Sequence, residues 1–397
     1  MALVSAPDFT YPSPILITSD IYFGTYTAVN SSEGIYHATL DLKTGTLSTV
    51  SLACATPNPT FIEIHPHSPF LYAVSERDPG AVSAFAIDPG TKKLTLLNKA
   101  PSGGKGPCHL SISRDGRTLL VANYASGSVA SLPIMHDGSL AMPVSVMQHT
   151  GSSVNPQRQK EPHAHSVNLS PDNRFAYVAD LGIDKLMIYK LDSESSKLRR
   201  NDPPWIPIKP GAGPRHFSFA PNGIFAYLIN ELDGTIIVFA HDAKSGSLTE
   251  VQTLSTLPEG FTGGNTAAEV RVHPNGKFLY GSNRGHDSIV IYEIDSLRGT
   301  LTLLGFQTYG IKTPRNFNID PTGQFCIVAN QESDTVRIFR INQESGLLDP
   351  TEQMIRIGKP VCVRLRLSNQ AVNLSRNNCL ATASSGRDGS NAAPTFA

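Results

Sequence analysis

From Phe61 to Val361, apolar and polar residues alternate in short runs, each closed by a turn rich in Pro, Asn, Asp or Gly. Arg215-His216-Phe217-Ser218-Phe219 is followed by Ala220-Pro221-Asn222-Gly223 and then by Phe225-Ala226-Tyr227-Leu228-Ile229. Period-two alternation with β-branched and aromatic enrichment predicts strand, turn, strand. A third strand follows each pair, as in Ser288 to Ile294, and a short fourth one, as in Gly246 to Thr249. No stretch carries a sustained helical period.

The pattern repeats. Aligned on the turn after the first strand, the copies are anchored at His65-Pro66, Arg114-Asp115, Pro171-Asp172, Pro221-Asn222, Pro274-Asn275 and Pro321-Thr322, spaced about 47 to 57 residues apart. That is the period of a four-stranded propeller blade. At the start, Ile21 to Tyr26, Gly34 to Leu40 and Gly45 to Ser48 read as strands two, three and four without a first. At the end, Pro360 to Leu365 reads as a first strand without the rest. Joined, the remnants make a seventh blade and leave no open sheet edge. The expected fold is all-β: a seven-bladed β-propeller of four-stranded antiparallel blades, closed by N- and C-terminal strands sharing one blade. Residues 1–15 are expected to form an N-terminal extension, 16–367 the propeller, and 368–397 a disordered Ser/Asn/Ala/Gly-rich tail.

Differences between the copies carry the chemistry. In a propeller the first strand lines the central channel, so its beginning and the end of the second strand share one mouth. Six residues before each anchor stand Thr60, Cys108, His165, Arg215, Ala268 and Arg315; next come Phe61, His109, Ser166, His216, Glu269 and Asn316. The second strands end at Glu76, Tyr124, Leu181, Glu231, Arg284 and Gln331. A solvated rim would tolerate such charges, but it does not account for their following Gly-Pro or Thr-Pro into buried inner strands; charges at a narrow channel need partners or a ligand. Tyr72, Tyr177, Tyr227 and Tyr280 share one repeat position and are expected in the core. The polar segment Gly151 to Glu161 lengthens a single loop, which is expected to lie over a channel mouth.

Composition narrows the partners. The formal net charge is zero, from 33 basic and 33 acidic residues, so nothing electrostatic calls for nucleic acid or an anionic membrane. No apolar run reaches the roughly 20 residues of a membrane helix, and no secretory leader is visible, so the expected location is the cytoplasm. The five cysteines are scattered, without a CxxC pair, which argues against a disulfide framework or a structural zinc site. His163-Ala164-His165 offers two imidazoles on one strand, but no third ligand stands at a metal-binding spacing, and no metal or other cofactor is expected. Motifs of the usual serine hydrolases, P-loop enzymes, zincins and dinucleotide enzymes do not occur.

Tyr22-Phe23-Gly24-Thr25-Tyr26, Gly106-Pro107-Cys108-His109, His163-Ala164-His165-Ser166, Gly213-Pro214-Arg215-His216, Asn230-Glu231, Asn283-Arg284 and Pro360-Val361-Cys362-Val363-Arg364 occur in an order that resembles the seven-bladed propeller lactonases. That family includes propeller-type 6-phosphogluconolactonases and the fungal carboxymuconate-lactonising enzyme. The resemblance covers Ile21 to Leu365. It implies catalytic residues at His165, Arg215, Glu231 and Arg284, with His109, His163, His216, Glu269 and Arg315 as substrate-binding groups. It implies a small anionic lactone as substrate, in the first instance 6-phospho-D-glucono-1,5-lactone, with either His165 or Glu231 as the base. A lactonising cyclase acting on a carboxylated muconate, and a non-catalytic interaction platform, are the alternative readings.

Overall fold

The inner strands of seven sheets stand side by side around a central channel. In the computed structural model, residues 18–368 are described; the expected extension at 1–15 and, Ser368 apart, the expected tail lie outside them. The described residues form 28 strands, numbered here in chain order, and no helix. Every sheet has four antiparallel strands. The inner strands are β4 (Ile62–Ile64), β8 (Pro107–Ile112), β12 (Ala164–Leu169), β16 (Pro214–Phe219), β20 (Thr266–Val272), β24 (Pro314–Ile319) and β28 (Pro360–Leu367). Each packs beside the next, and β28 meets both β24 and β4, which closes the ring.

Closure is by shared strands, as the repeat remnants predict. The first strand, β1 (Thr18–Thr25), pairs with β28 from Ser19 opposite Leu367 to Gly24 opposite Cys362, and on its other side with β2 (Gly34–Asp41). One expected element differs. Gly45 to Ser48 is a turn with a single bridge from Leu47 to Leu40, and the fourth strand of that blade is β3 (Ser51–Ala55). The Asp41 carboxylate accepts the Lys43 and Thr44 amides, as Asp88 and Asp192 accept those of Thr91 and Ser195 in the equivalent turns, but here the ladder with β2 resumes only at Ser51, opposite His37. Most other fourth strands are longer than the sequence suggests, reaching eleven residues at Lys197–Pro207, whereas Ser145–Gln148 has four.

The apolar core lies between blades, where faces of adjacent sheets bury large side chains worth about 1.5–3 kcal/mol each. Phe239, Leu228 and Ile237 of one blade pack with Phe175 and Tyr177 of its neighbour. The recurring tyrosines do more than fill space. Tyr72, Tyr177, Tyr227 and Tyr280 donate their hydroxyls to the carbonyls of Gly138, Gly246, Gly299 and Gly346, in the turn before the last strand of the next blade, at 3.0, 2.8, 3.2 and 2.8 Å. The phenylalanine two residues before the tyrosine packs on the same glycine: at Gly299, whose φ is +71°, an added Cβ would sit 2.3 Å from the Phe225 ring.

This inter-blade lock should be measurable. Gly299→Ala should cost about 2 kcal/mol through strain and overpacking, and Tyr227→Phe about 1 kcal/mol through one lost hydrogen bond. Denaturant midpoints unchanged in both variants would show that the lock is not what joins the blades.

Candidate active site

A β-bulge shapes the mouth end of each long inner strand. In β16 the ladder pairs Pro214 with Asn230 and then His216 with Ile229, so Arg215 has no partner. Cys108, His165 and Arg315 are skipped in the same way in β8, β12 and β24, and Ala268 with Glu269 in β20. A bulge re-aims side chains that strict alternation would send to opposite faces. Neighbours such as Arg215 and His216 can therefore both serve the channel.

Glu231 is the hub of this mouth. Its Oε2 accepts Arg215 Nε at 2.9 Å and pairs with Arg284 Nη2 at 3.0 Å; its Oε1 accepts Arg158 Nη2 at 2.7 Å. Arg215 also donates to the Ala268 carbonyl, and Arg284 to those of Thr266 and Ala267. Arg215 and Glu231 are 2% and 4% exposed, so these charges interact with little help from water. Burial alone would raise the Glu231 pKa, but Arg284 and Arg215 outweigh it and hold the carboxyl well below the usual range. Burial, with Arg315 and Arg215 respectively, pushes Arg215 and Arg284 below the ordinary guanidinium range.

His165 lies beside this cluster with Nε2 3.8 Å from Glu231 Oε2, too far for a hydrogen bond. Burial first, then Arg215, drives its pKa well below 6.5, so the imidazole is neutral near pH 7. Its Nδ1 is buried with no hydrogen-bond partner among the described residues. Cys108 donates its thiol to the His165 carbonyl at 3.3 Å, and burial pushes that thiol's pKa up, which suits packing rather than nucleophilic attack.

The structure therefore brings His165, Arg215, Glu231 and Arg284 together. It spreads the expected substrate-binding set over three places. Arg315 borders the same small cavity as His165 and Arg215 and donates to the Tyr26 hydroxyl at 3.3 Å. His163 stacks on Tyr124 with centroids 4.4 Å apart and donates Nδ1–H to the Tyr124 carbonyl at 3.0 Å, at the rim and outside the carboxylate cluster. His216 borders the small cavity and donates Nδ1–H to Glu269 at 3.0 Å. Glu269 and His109 lie deeper, and the His109 ring sits 4.1 Å from Phe61. His109 borders a different and larger cavity of about 450 Å³ at the opposite mouth, remote from Glu231. The mouth cavity is only about 10 Å³, close to the space of one water. Chemistry, not size, marks this mouth as the candidate site. Among the described residues no three His, Cys, Asp or Glu side chains gather as a metal-binding set.

Arg158 escaped the sequence comparison because it lies in the Gly151–Glu161 loop, which has no counterpart in the other blades. That loop is tied down by Asp184. Its Oδ2 accepts the Ser153 hydroxyl at 2.5 Å, the Gln159 amide at 2.8 Å and the Gly211 amide at 2.7 Å, and its Oδ1 accepts the Gly213 amide at 2.7 Å. Gly213 has φ +69° and its carbonyl accepts the Glu231 amide at 2.7 Å. One carboxylate thus fixes both the loop carrying Arg158 and the turn that sets Arg215 against Glu231.

The family model for "Lactonase, 7-bladed beta-propeller" matches residues 20–365. The chain belongs to the seven-bladed β-propeller lactonase family. It is 36% identical to the 6-phosphogluconolactonase of Bacillus subtilis over 345 residues, 86% of this chain and 97% of that one. It is 34% identical to the 6-phosphogluconolactonase of Formosa agariphila over 343 residues, 84% of this chain and 95% of that one. The solved structure of a periplasmic gluconolactonase from Pseudomonas aeruginosa superposes with a TM-score of 0.84 at 36% identity, covering 88% of this chain and 99% of that one. The protein is a lactonase enzyme, and the reading as a non-catalytic platform falls away. No helix among the described residues is long and apolar enough to cross a membrane.

Removing the shared charge should be costly. Glu231→Gln leaves buried guanidinium groups without their counter-ion and should destabilise the lactonase by about 3 kcal/mol. Because the folded-state pKa of Glu231 is depressed, this contribution is complete above the unfolded value of about 4.3 and is lost only as pH falls further. A denaturation midpoint for Glu231→Gln equal to that of the parent at pH 7 would contradict the assignment of Glu231 as the hub.

Proposed function

We propose that this lactonase hydrolyses a phosphorylated sugar lactone, 6-phospho-D-glucono-1,5-lactone, to 6-phosphogluconate, without a metal ion. One observation carries the reading: a neutral histidine stands beside an excess of buried positive charge. Arg158, Arg215, Arg284 and Arg315 face Glu231 and Glu76 at this mouth, which leaves two positive charges unmatched. A phosphate dianion supplies the missing charge. Arginine's planar fork suits it and remains protonated. The two relatives named above as 6-phosphogluconolactonases support the same substrate. A phosphorylated substrate made inside the cell carries a cytoplasmic location with this reading.

The roles follow from the pKa directions. Glu231 has its oxygens committed to guanidinium groups and a depressed pKa, so it is a poor base and serves as the anchor of the arginines. His165, neutral and not hydrogen-bonded to Glu231, takes a proton from water as that water attacks the lactone carbonyl carbon. Arg215 and Arg284 stabilise the oxyanion that develops there. The bond from that carbon to the ring oxygen then breaks, and the proton on His165 passes to the departing alkoxide. Water is consumed, a hydroxyl and a carboxylic acid are formed, and the acid then releases its proton to solvent to leave the carboxylate. Arg158, with 37% of its side chain exposed, is the guanidinium best able to leave Glu231 and meet the incoming phosphate. His216, held by Glu269 with Nδ1–H inward, presents Nε2 to a substrate hydroxyl.

The assay is lactone hydrolysis above the spontaneous rate, with and without chelator. Arg215→Ala should lower kcat/KM by about 100-fold or more, Arg158→Ala should raise KM chiefly for the phosphorylated lactone, and chelation should change nothing. Full activity in Arg215→Ala would overturn the roles, and turnover of a carboxylated muconate in place of the lactone would overturn the substrate.

The pH profile separates the bases. With unphosphorylated glucono-1,5-lactone, which has no titrating phosphate, kcat/KM reports the free enzyme. A depressed histidine pKa keeps the imidazole neutral as pH falls, so activity should hold down to well below pH 6.5. An acid limb centred at pH 6.5 would exclude a buried, neutral His165 as the base.

A further inference from the structure

The larger cavity, about 450 Å³, lies at the other end of the channel, where the inner strands run into their turns. Its lining repeats one position, three residues before each turn anchor. Ser111, Asn168 and Ser218 stand there in β8, β12 and β16, small neutral groups that suit a wet channel wall. In β20 the same position is Arg271, and in β4 it is Glu63; β28 adds Arg364 and the first turn residue after β8 adds Arg114. Glu63 is already occupied, since its Oε2 accepts Arg364 Nε at 2.9 Å. Arg271 meets Glu269 behind the cavity wall, so the exposed Arg114 leaves this mouth with one positive charge in surplus.

Arg271 supplies the leading positive charge that keeps Glu269 ionised, but its contact geometry leaves the guanidinium only partly engaged. Glu269 Oε1 accepts His216 Nδ1–H and the Val270 amide, both at 3.0 Å, and Oε2 accepts the Asn316 amide. Arg271 adds only one contact, from Nη2 at 3.4 Å, the longest of the set. Its Nε is buried and has no hydrogen-bond partner among the described residues. A guanidinium with an unpaired donor beside a cavity is half of a fork that a tetrahedral oxyanion completes.

We propose that this second mouth is an anion site, distinct from the lactonase site, which binds a small phosphate ester. Arg271 and Arg114 hold the phosphate, and Ser111, Asn168 and Ser218 offer hydrogen bonds to the hydroxyls of the rest of the ligand. The volume is that of a small-metabolite pocket. Only the layer containing Phe61, His109 and His216 separates it from the lactonase mouth. Its occupant would draw on Arg271, which touches Glu269, which in turn holds His216.

Inorganic phosphate is the probe. Crystals of the protein soaked in phosphate should show it against Arg271 and Arg114, whatever binds at the Glu231 mouth. In solution, Arg284→Gln should leave this phosphate site in place. Arg114→Ala, which alters only an exposed side chain, should weaken it fivefold or more, with unchanged lactone turnover in phosphate-free buffer. Arg271→Gln should abolish it. Phosphate found only at the Glu231 mouth, or solution binding lost in Arg284→Gln and retained in both Arg114→Ala and Arg271→Gln, would overturn the proposal.

Discussion

A single buried carboxylate sets the terms at the working mouth. Arg158, Arg215 and Arg284 all meet Glu231, and two of the three are deeply buried. Bringing such groups out of water costs several kcal/mol each, and their mutual repulsion adds to that. Only a fully ionised Glu231 keeps them there, which is why its pKa is depressed in spite of burial. In the proposed mechanism the same commitment removes Glu231 from proton transfer and leaves that task to the neighbouring imidazole. Position, charge and division of labour follow from one residue.

The propeller makes this convergence possible by separating stability from chemistry. The locks between blades lie at the strand-two Phe and Tyr positions and the glycines they meet, well away from the channel. Shared strands close the ring without contributing to the mouth cluster. The mouth residues are thus free to differ from blade to blade. The bulges supply the remaining requirement. In a regular ladder Arg215 and His216 would point to opposite sides of the sheet; skipping Arg215 frees it to turn toward Glu231 while His216 still reaches Glu269.

Most of this fold was legible because its period is written in turn chemistry. Pro221-Asn222-Gly223 and its siblings mark the blades, and the unpaired remnants at Ile21 and Pro360 announce their shared blade. His165, Arg215, Glu231 and Arg284 were legible as candidates for a different reason: they put imidazole or charge at repeat positions that other copies fill with Thr, Cys, Ala, Tyr or Leu. Depth was not legible. His109 and His216 occupy equivalent positions after the same bulge, yet only His216 borders the Glu231-side cavity, while His109 packs on Phe61 and borders the other one. Arg158 was out of reach of any copy-by-copy comparison, since its loop has no copies. Gly45 to Ser48 reads as a strand by composition but makes only a single bridge, from Leu47 to Leu40.

The two mouths use one logic with opposite balance. At the first, a carboxylate is saturated by guanidinium groups, and the nearby histidine keeps a buried ring nitrogen unpaired among the described residues, an arrangement that costs about 1–3 kcal/mol. At the second, Glu269 is satisfied by an imidazole and an amide, and it is the arginine that has a donor to spare. A chain selected for stability alone would gain by placing apolar groups at both positions. Between them stands His216, bordering one cavity and tied through Glu269 to the arginine of the other. Its pKa, lowered to about 4 by burial against the opposing pull of Glu269, keeps it a neutral hydrogen-bonding group across the working pH range. The two histidines between the mouths, His109 and His216, are therefore polar without being charged, and the ionic groups on either side keep their own partners.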